Sequence, residues 1–162
     1  MKGISIIIMA AGLGTRMKSN LVKILHPLAG MPMLAYTLNL AKSLRTEKII
    51  AVIGHQADKV KDIFSEYKIG WVIQKEQKGT GHAVMQAKNT LRDFNGAVIV
   101  LSGDTPLLKK ETISELIKSH KSKGNRITIL TTELNNPYGY GRVVTNANGK
   151  VERIVEEKDA SD

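Results

Sequence analysis

The residues able to do chemistry fall into three short stretches, and two of them point to phosphate. Gly12-Leu13-Gly14-Thr15-Arg16, with Lys23 further on, combines two glycines, a hydroxyl and fixed positive charge. Glycines after a buried strand let backbone N–H groups approach a ligand, and N–H groups exposed in a turn form a concave anion site. Asp104 follows Ser102-Gly103 and precedes Pro106. Such a carboxylate past a strand end can hold Mg²⁺ against phosphate oxygens, because that ion takes one or two carboxylates plus substrate oxygens. It can equally cap the turn before the next helix. Between them lie Gln74 and Gln77-Lys78-Gly79-Thr80-Gly81-His82. Gln74 reads as a polar strand end and Thr80 as a helix N-cap, each free to meet a ligand as well.

Two familiar phosphate motifs fail on this sequence. The dinucleotide fingerprint requires a third glycine where Met17 stands. The P-loop requires a glycine directly before Lys18-Ser19, and Met17 occupies that place too. Taken alone, the first stretch is also an ordinary glycine-rich strand-to-helix turn. His26 and His82 have no partner at metal-ligand spacing, so both read as structural or surface residues.

These stretches must be held by a regular frame. Gly3 to Ile8, Ile49 to Gly54, Trp71 to Gln74 and Ala97 to Leu101 are short apolar runs without polar alternation, the mark of strands covered on both faces. Helical spacing appears in Pro32–Leu44, in Gln56–Tyr67 (Val60, Ile63, Phe64 and Tyr67 inward), in Thr80–Leu91 and in Glu111–Lys123. Ile127 to Thr132 predicts a fifth strand. Alternating strands and helices give an α/β fold with a mostly parallel, Rossmann-like sheet and right-handed crossovers. Arg142–Thr145 and Val151–Val155 flank Asn146-Ala147-Asn148-Gly149, which predicts a C-terminal β-hairpin. Ligands of such sheets bind at the carboxyl ends of the strands, which is where the three polar stretches fall.

The 162 residues suit one domain, residues 1–162. The absence of cysteine excludes disulfides and thiolate metal sites and fits a cytoplasmic protein. No apolar run reaches membrane-spanning length, and no secretory segment is expected at the N-terminus. The net charge of +9 invites nucleic acid as a partner. Yet Lys109, Lys110, Lys118, Lys121 and Lys123 share a helix with Glu111 and Glu115, with no aromatic residues between them for base stacking. A solvated helix face, attracting small anionic substrates in general, is the reading adopted.

Met9-Ala10-Ala11-Gly12-Leu13-Gly14-Thr15-Arg16-Met17, continuing to Lys23, resembles the A-A-G-x-G-T-R-M signature of the sugar-nucleotide pyrophosphorylases. Gln74 with Gly79-Thr80, Asn136 to Arg142, and Ile154 to Asp159 resemble later segments of the same superfamily, in the same order. The nearest resemblance is to the uridylyltransferase domain of bacterial bifunctional N-acetylglucosamine-1-phosphate uridyltransferases. It implies transfer of uridylyl from UTP to GlcNAc-1-phosphate, giving UDP-GlcNAc and pyrophosphate, with Mg²⁺ on Asp104. It further implies Arg16 and Lys23 as catalytic groups on the phosphates. Ala10, Ala11, Gly12, Gly14, Thr15, Gln74, Gly79, Thr80, Ser102 and Gly103 would bind the nucleotide, and Gly141 and Glu156 the sugar. The nucleophile is already an anionic phosphate oxygen, so no general base is required. The family's catalytic domain continues further, with two asparagines that contact sugar and metal, and then a trimerising β-helix that carries acetyltransferase activity. The expectation for this chain is therefore no acetyl transfer, a monomer, and weak or absent uridylyl transfer with nucleotide binding retained. The alternatives are a non-catalytic nucleotide-binding module, or a nucleotidyltransferase for another base or phosphate acceptor.

Overall fold

The computed structural model describes residues 1–160. It divides into two compact units, Met1–Glu115 and Leu116–Asp162. In the first, β1 (Ile4–Ala10) is buried along its length except at Met9, as a run of isoleucines without polar alternation demands. A small hairpin follows, β2 (Pro27–Leu28) and β3 (Met31–Pro32), and then α1 (Met33–Ser43) and β4 (Lys48–Ile53). Next come α2 (Ala57–Ile63), β5 (Gly70–Ile73), α3 (Thr80–Gln86) and β6 (Ala97–Ser102). The four long strands form one parallel sheet in the order β5-β4-β1-β6. The boundary between the units falls within α4 (Lys110–Lys123).

Register decides where the strands end. Ala10 pairs with Ile53, Ile53 with Ile73, and Met9 with Ser102. All four carboxyl termini therefore open on one edge. Ile4, Ile6 and Ile8 of β1 and Leu34, Leu38 and Ala41 of α1 are all fully buried, and the two elements touch. Among the described residues no helix is long and apolar enough to cross a membrane.

In the second unit, β7 (Arg142–Thr145) and β8 (Val151–Val155) form the expected hairpin. Asn146 Oδ1 accepts from the backbone N–H of Asn148 and of Lys150, and Gly149 adopts φ 71°, so the turn uses its asparagine and glycine as anticipated.

The structure corrects two expectations. Residues 127–132 are not a strand; they have no ladder partner among the described residues, and Ile127 is 78% exposed. Their β-branched composition supplies propensity only, and propensity without a neighbouring strand does not make a sheet. Instead Thr128 Oγ1 lies 2.9 Å from His120 Nδ1. In α2 the inward stripe is narrower than expected. Val60 and Phe64 are buried, whereas Ile63 is 47% exposed. The helix ends at Ile63 and Phe64 leaves helical geometry at φ −108°, ψ 25°. Tyr67, beyond the helix, packs edge-on to Phe64 at 5.5 Å. The β2–β3 hairpin was not anticipated, because prolines at its first and last positions disguise it as loop.

Leu38→Ala should lower unfolding stability by about 2–5 kcal/mol, the usual cost of a cavity at a buried leucine. Ile127→Ser should change it by less than about 0.5 kcal/mol. Urea titration of both variants checks the pair; a large loss at Ile127 would restore the discarded strand.

Candidate active site

At the carboxyl edge of the sheet lies a cavity of about 310 Å³. β1 delivers Ala10, Ala11 and Gly12 to its wall, and β6 delivers Ser102 and Asp104. β5 and the start of α3 contribute Gln74, Gly79 and Thr80, and Lys23 enters from the loop after β1. Three stretches far apart in sequence thus meet, as the βα pattern required. Gly14, Thr15, Arg16 and Gly103 do not line the cavity. Gly103 backs it: its N–H donates to Met9 O at 2.9 Å, and a Cβ there would sit 3.1 Å from that oxygen.

The loop after β1 leaves backbone donors unused. The backbone N–H groups of Gly12, Leu13 and Gly14 have no acceptor among the described residues. Unengaged N–H groups in succession form the concavity that anions occupy. Thr15–Met17 then makes a single 3₁₀ turn, in which Arg16 is exposed. Gly14 adopts φ 63°, and a Cβ at that position would lie 2.6 Å from Lys23 Cβ. The glycine therefore makes room for the lysine stem as well as for the turn.

Lys23 Nζ donates to Asp104 Oδ2 at 2.5 Å, across 81 residues of chain. Ser102 Oγ donates to the other carboxylate oxygen at 2.6 Å. Burial pushes the Asp104 carboxyl up, but the hydrogen bonds from Lys23 and Ser102, the charge of Lys23 and the residue's own backbone outweigh it, and the net shift is downward. Asp104 is held ionised at the cavity wall. Both side chains keep about a third of their surface exposed, so the pair is accessible to solvent and to a ligand.

Residues that sequence reasoning did not single out hold this arrangement in place. Gln56 staples the end of the loop: its Nε2 donates to Asn20 O at 2.6 Å, and Val22 N–H donates to its Oε1 at 3.3 Å. Thr37 of α1, fully buried, donates to Ser102 O at 3.4 Å, and Thr105 donates to the same oxygen at 2.8 Å. Gly54 must lack a side chain, since a Cβ would stand 2.9 Å from Ala11 O. The one available signal was Gln56 itself, a polar residue at a strand-to-helix turn. His26 Nε2 lies 3.0 Å from Leu21 O, and His82 lies between two glutamine amides.

Gly141 and Glu156 belong to the second unit. The register Arg142 to Val155 sets them side by side at the open end of the hairpin. A Cβ on Gly141 would lie 3.3 Å from Val155 O and 4.0 Å from the Glu156 carboxylate.

The sequence profile of the MobA-like NTP transferase domain matches residues 6–158. The chain belongs to that family. The bifunctional protein GlmU of Geobacter metallireducens is 48% identical over 162 residues, covering 99% of this chain and 34% of that protein. GlmU of Oceanobacillus iheyensis is 49% identical over 156 residues, covering 96% and 34% respectively. The chain spans about a third of the length of these relatives. Among solved structures, the 4-diphosphocytidyl-2C-methyl-D-erythritol synthase of Anaerococcus prevotii superposes with a TM-score of 0.67 at 21% identity, over 98% of this chain and 66% of that one. The manganese complex of Rv0371c from Mycobacterium tuberculosis gives 0.63 at 19%, over 74% and 60%. These likenesses confirm the Rossmann-like fold of the sheet.

Gly14→Ala should cost about 1–2 kcal/mol from the left-handed backbone alone, and more through the contact with Lys23; thermal unfolding measures it. The depressed Asp104 carboxyl contributes stability that is fully present above its unfolded value near 3.8 and is lost as pH falls through the lower folded value. Lys23→Met should therefore be less stable than the parent at pH 7, and the two should converge as pH drops below about 4. Denaturation at stepped pH reads the difference; a gap that widens in acid would reverse the sign.

Proposed function

We propose that this chain binds UTP and catalyses, or once bound is poised for, transfer of its uridylyl group to N-acetylglucosamine 1-phosphate. The observation carrying this reading is the Lys23–Asp104 pair in the wall of a cavity that Gln74 also lines. One end offers charge for phosphates, and the other offers an amide for the edge of a base. The strong likeness to GlmU proteins along the whole chain supports the choice of UTP and of an acetamido sugar. A cytoplasmic location and supply of a cell-wall precursor belong to the same reading.

The donor set fits a divalent ion of the Mg²⁺ kind. The described residues contain no group of three or more His, Cys, Asp or Glu side chains close enough to form a closed metal cage. A single ionised carboxylate, one-third exposed at the wall of the cavity, suits an ion that draws its remaining ligands from substrate and water. Asp104 would hold it, and when bound it supplies neutralisation of phosphate charge. The chain's own residues do the rest. The free N–H groups of Gly12 to Gly14 cradle phosphate oxygens. Arg16, exposed beside them, offers a planar fork to the β- and γ-phosphates. Lys23, released from Asp104, neutralises the charge that grows as the sugar phosphate oxygen attacks the α-phosphorus and pyrophosphate leaves. Gly141 and Glu156 are assigned to the sugar on the resemblance of their segments.

Pyrophosphate release from UTP plus GlcNAc-1-phosphate tests this. Release is expected only with both substrates and a divalent ion, and Lys23→Ala should lower it roughly 10²–10³-fold, as loss of a charge-stabilising donor does elsewhere. UTP binding without release would favour the binding-module reading. Absence of UTP binding would overturn the proposal.

A further inference from the structure

Gln74 closes the end of β5 and is 3% exposed, and the orientation of its amide decides what the cavity offers a ligand. Its Nε2 lies 2.9 Å from His82 Nδ1 and 3.5 Å from Gly79 O. A carbonyl oxygen can only accept, so the Gly79 contact identifies that end of the amide as the NH₂. His82 Nδ1 is then the acceptor of the second hydrogen bond, and the ring proton of the neutral imidazole sits on Nε2.

The far side of the ring sets up a competition. Gln86 Nε2 stands 3.0 Å from His82 Nε2 and 3.1 Å from His82 O. A neutral imidazole has one acceptor nitrogen, so it cannot receive a hydrogen bond from both glutamines. Both amides face a backbone carbonyl, but Gln74 is the more buried of the two and has the less freedom to turn. Gln86 is half-buried and turns its amide at the cost of one hydrogen bond within its own helix. The ring therefore serves Gln74.

With the NH₂ engaged, Gln74 Oε1 is left without a partner among the described residues. Ser5 Oγ is the buried side-chain atom that lacks a hydrogen bond there, and Gln74 Oε1 does not share that condition. It keeps accessible surface, and the space its residue lines is the cavity. Gln74 thus presents an acceptor. We propose that His82 is a positioning residue that fixes the Gln74 amide with its oxygen toward the cavity, so that the site takes a pyrimidine carrying a ring N–H over one carrying a bare ring nitrogen. This rests on the nucleotide site proposed above and adds to it the group that sets its choice of base. Uracil has that N–H; cytosine has an acceptor in its place.

The test is the ratio of UTP to CTP affinity, by titration calorimetry, in the parent chain, His82→Leu and His82→Asn. Leucine removes the acceptor, whereas the asparagine oxygen restores one close to the position of Nδ1. The parent should favour UTP, His82→Leu should lose roughly tenfold of that preference, the worth of one hydrogen bond, and His82→Asn should recover most of it. A residue that only supports the fold would weaken both nucleotides together and leave the ratio unchanged, which would overturn the proposal. Long-range ¹H–¹⁵N spectra of the parent chain give a second readout that needs no variant. A neutral His82 protonated on Nε2 supports the assignment, and one protonated on Nδ1 contradicts it. If the parent binds neither nucleotide, the nucleotide reading itself fails; if it binds UTP with a ratio indifferent to His82, only the role of His82 fails.

Discussion

The ion pair between Lys23 and Asp104 is the interaction on which the rest of the site depends. Its partners are 81 residues apart and meet at 2.5 Å. That meeting requires the parallel register of β1 with β6, which sets Met9 opposite Ser102 and so brings Asp104 to the loop that follows β1. It also requires Gly14, where any Cβ would displace the stem of Lys23, and Gln56, which pins the backbone on either side of Leu21. The pair has an electrostatic consequence in turn. A partly buried carboxylate would otherwise take up a proton more readily, and the lysine keeps it charged. In the proposed reaction the ionised acid is the group for a divalent ion and the cation beside it the group for phosphate.

The frame around this pair was legible because its signals are redundant. Each of the four parallel strands is an apolar run that no helix period explains, and each ends in glycine or polar residues. The convergence of Gly12, Gln74 and Asp104 followed from that alternation alone, since parallel strands send all their carboxyl ends to one edge. The hairpin around Gly149 was legible for a more local reason: the turn chemistry is written in Asn146 and Gly149 themselves.

What escaped sequence reasoning depends on contacts between distant residues. Ile127 to Thr132 carries strand propensity, but a strand exists only where a neighbour accepts its hydrogen bonds. Ile63 sits at the margin of a two-turn helix, where the end of the helix decides exposure more than periodicity does. Gln56 and Thr37 hold the active loops through side chain to backbone bonds that span 36 and 65 residues. No local pattern announces such a bond. His82 was read as structural and is so in its contacts, yet those contacts orient the glutamine beside the cavity.

The most direct measurement is the affinity of UTP with and without Mg²⁺, in the parent chain and in Asp104→Asn, which keeps the size of the side chain and removes its charge. If the Lys23–Asp104 pair is the place where phosphate and ion meet, Mg²⁺ should strengthen UTP binding in the parent and have little effect in the variant. An equal response to Mg²⁺ in both would show that the ion is held elsewhere and would contradict the account at its centre.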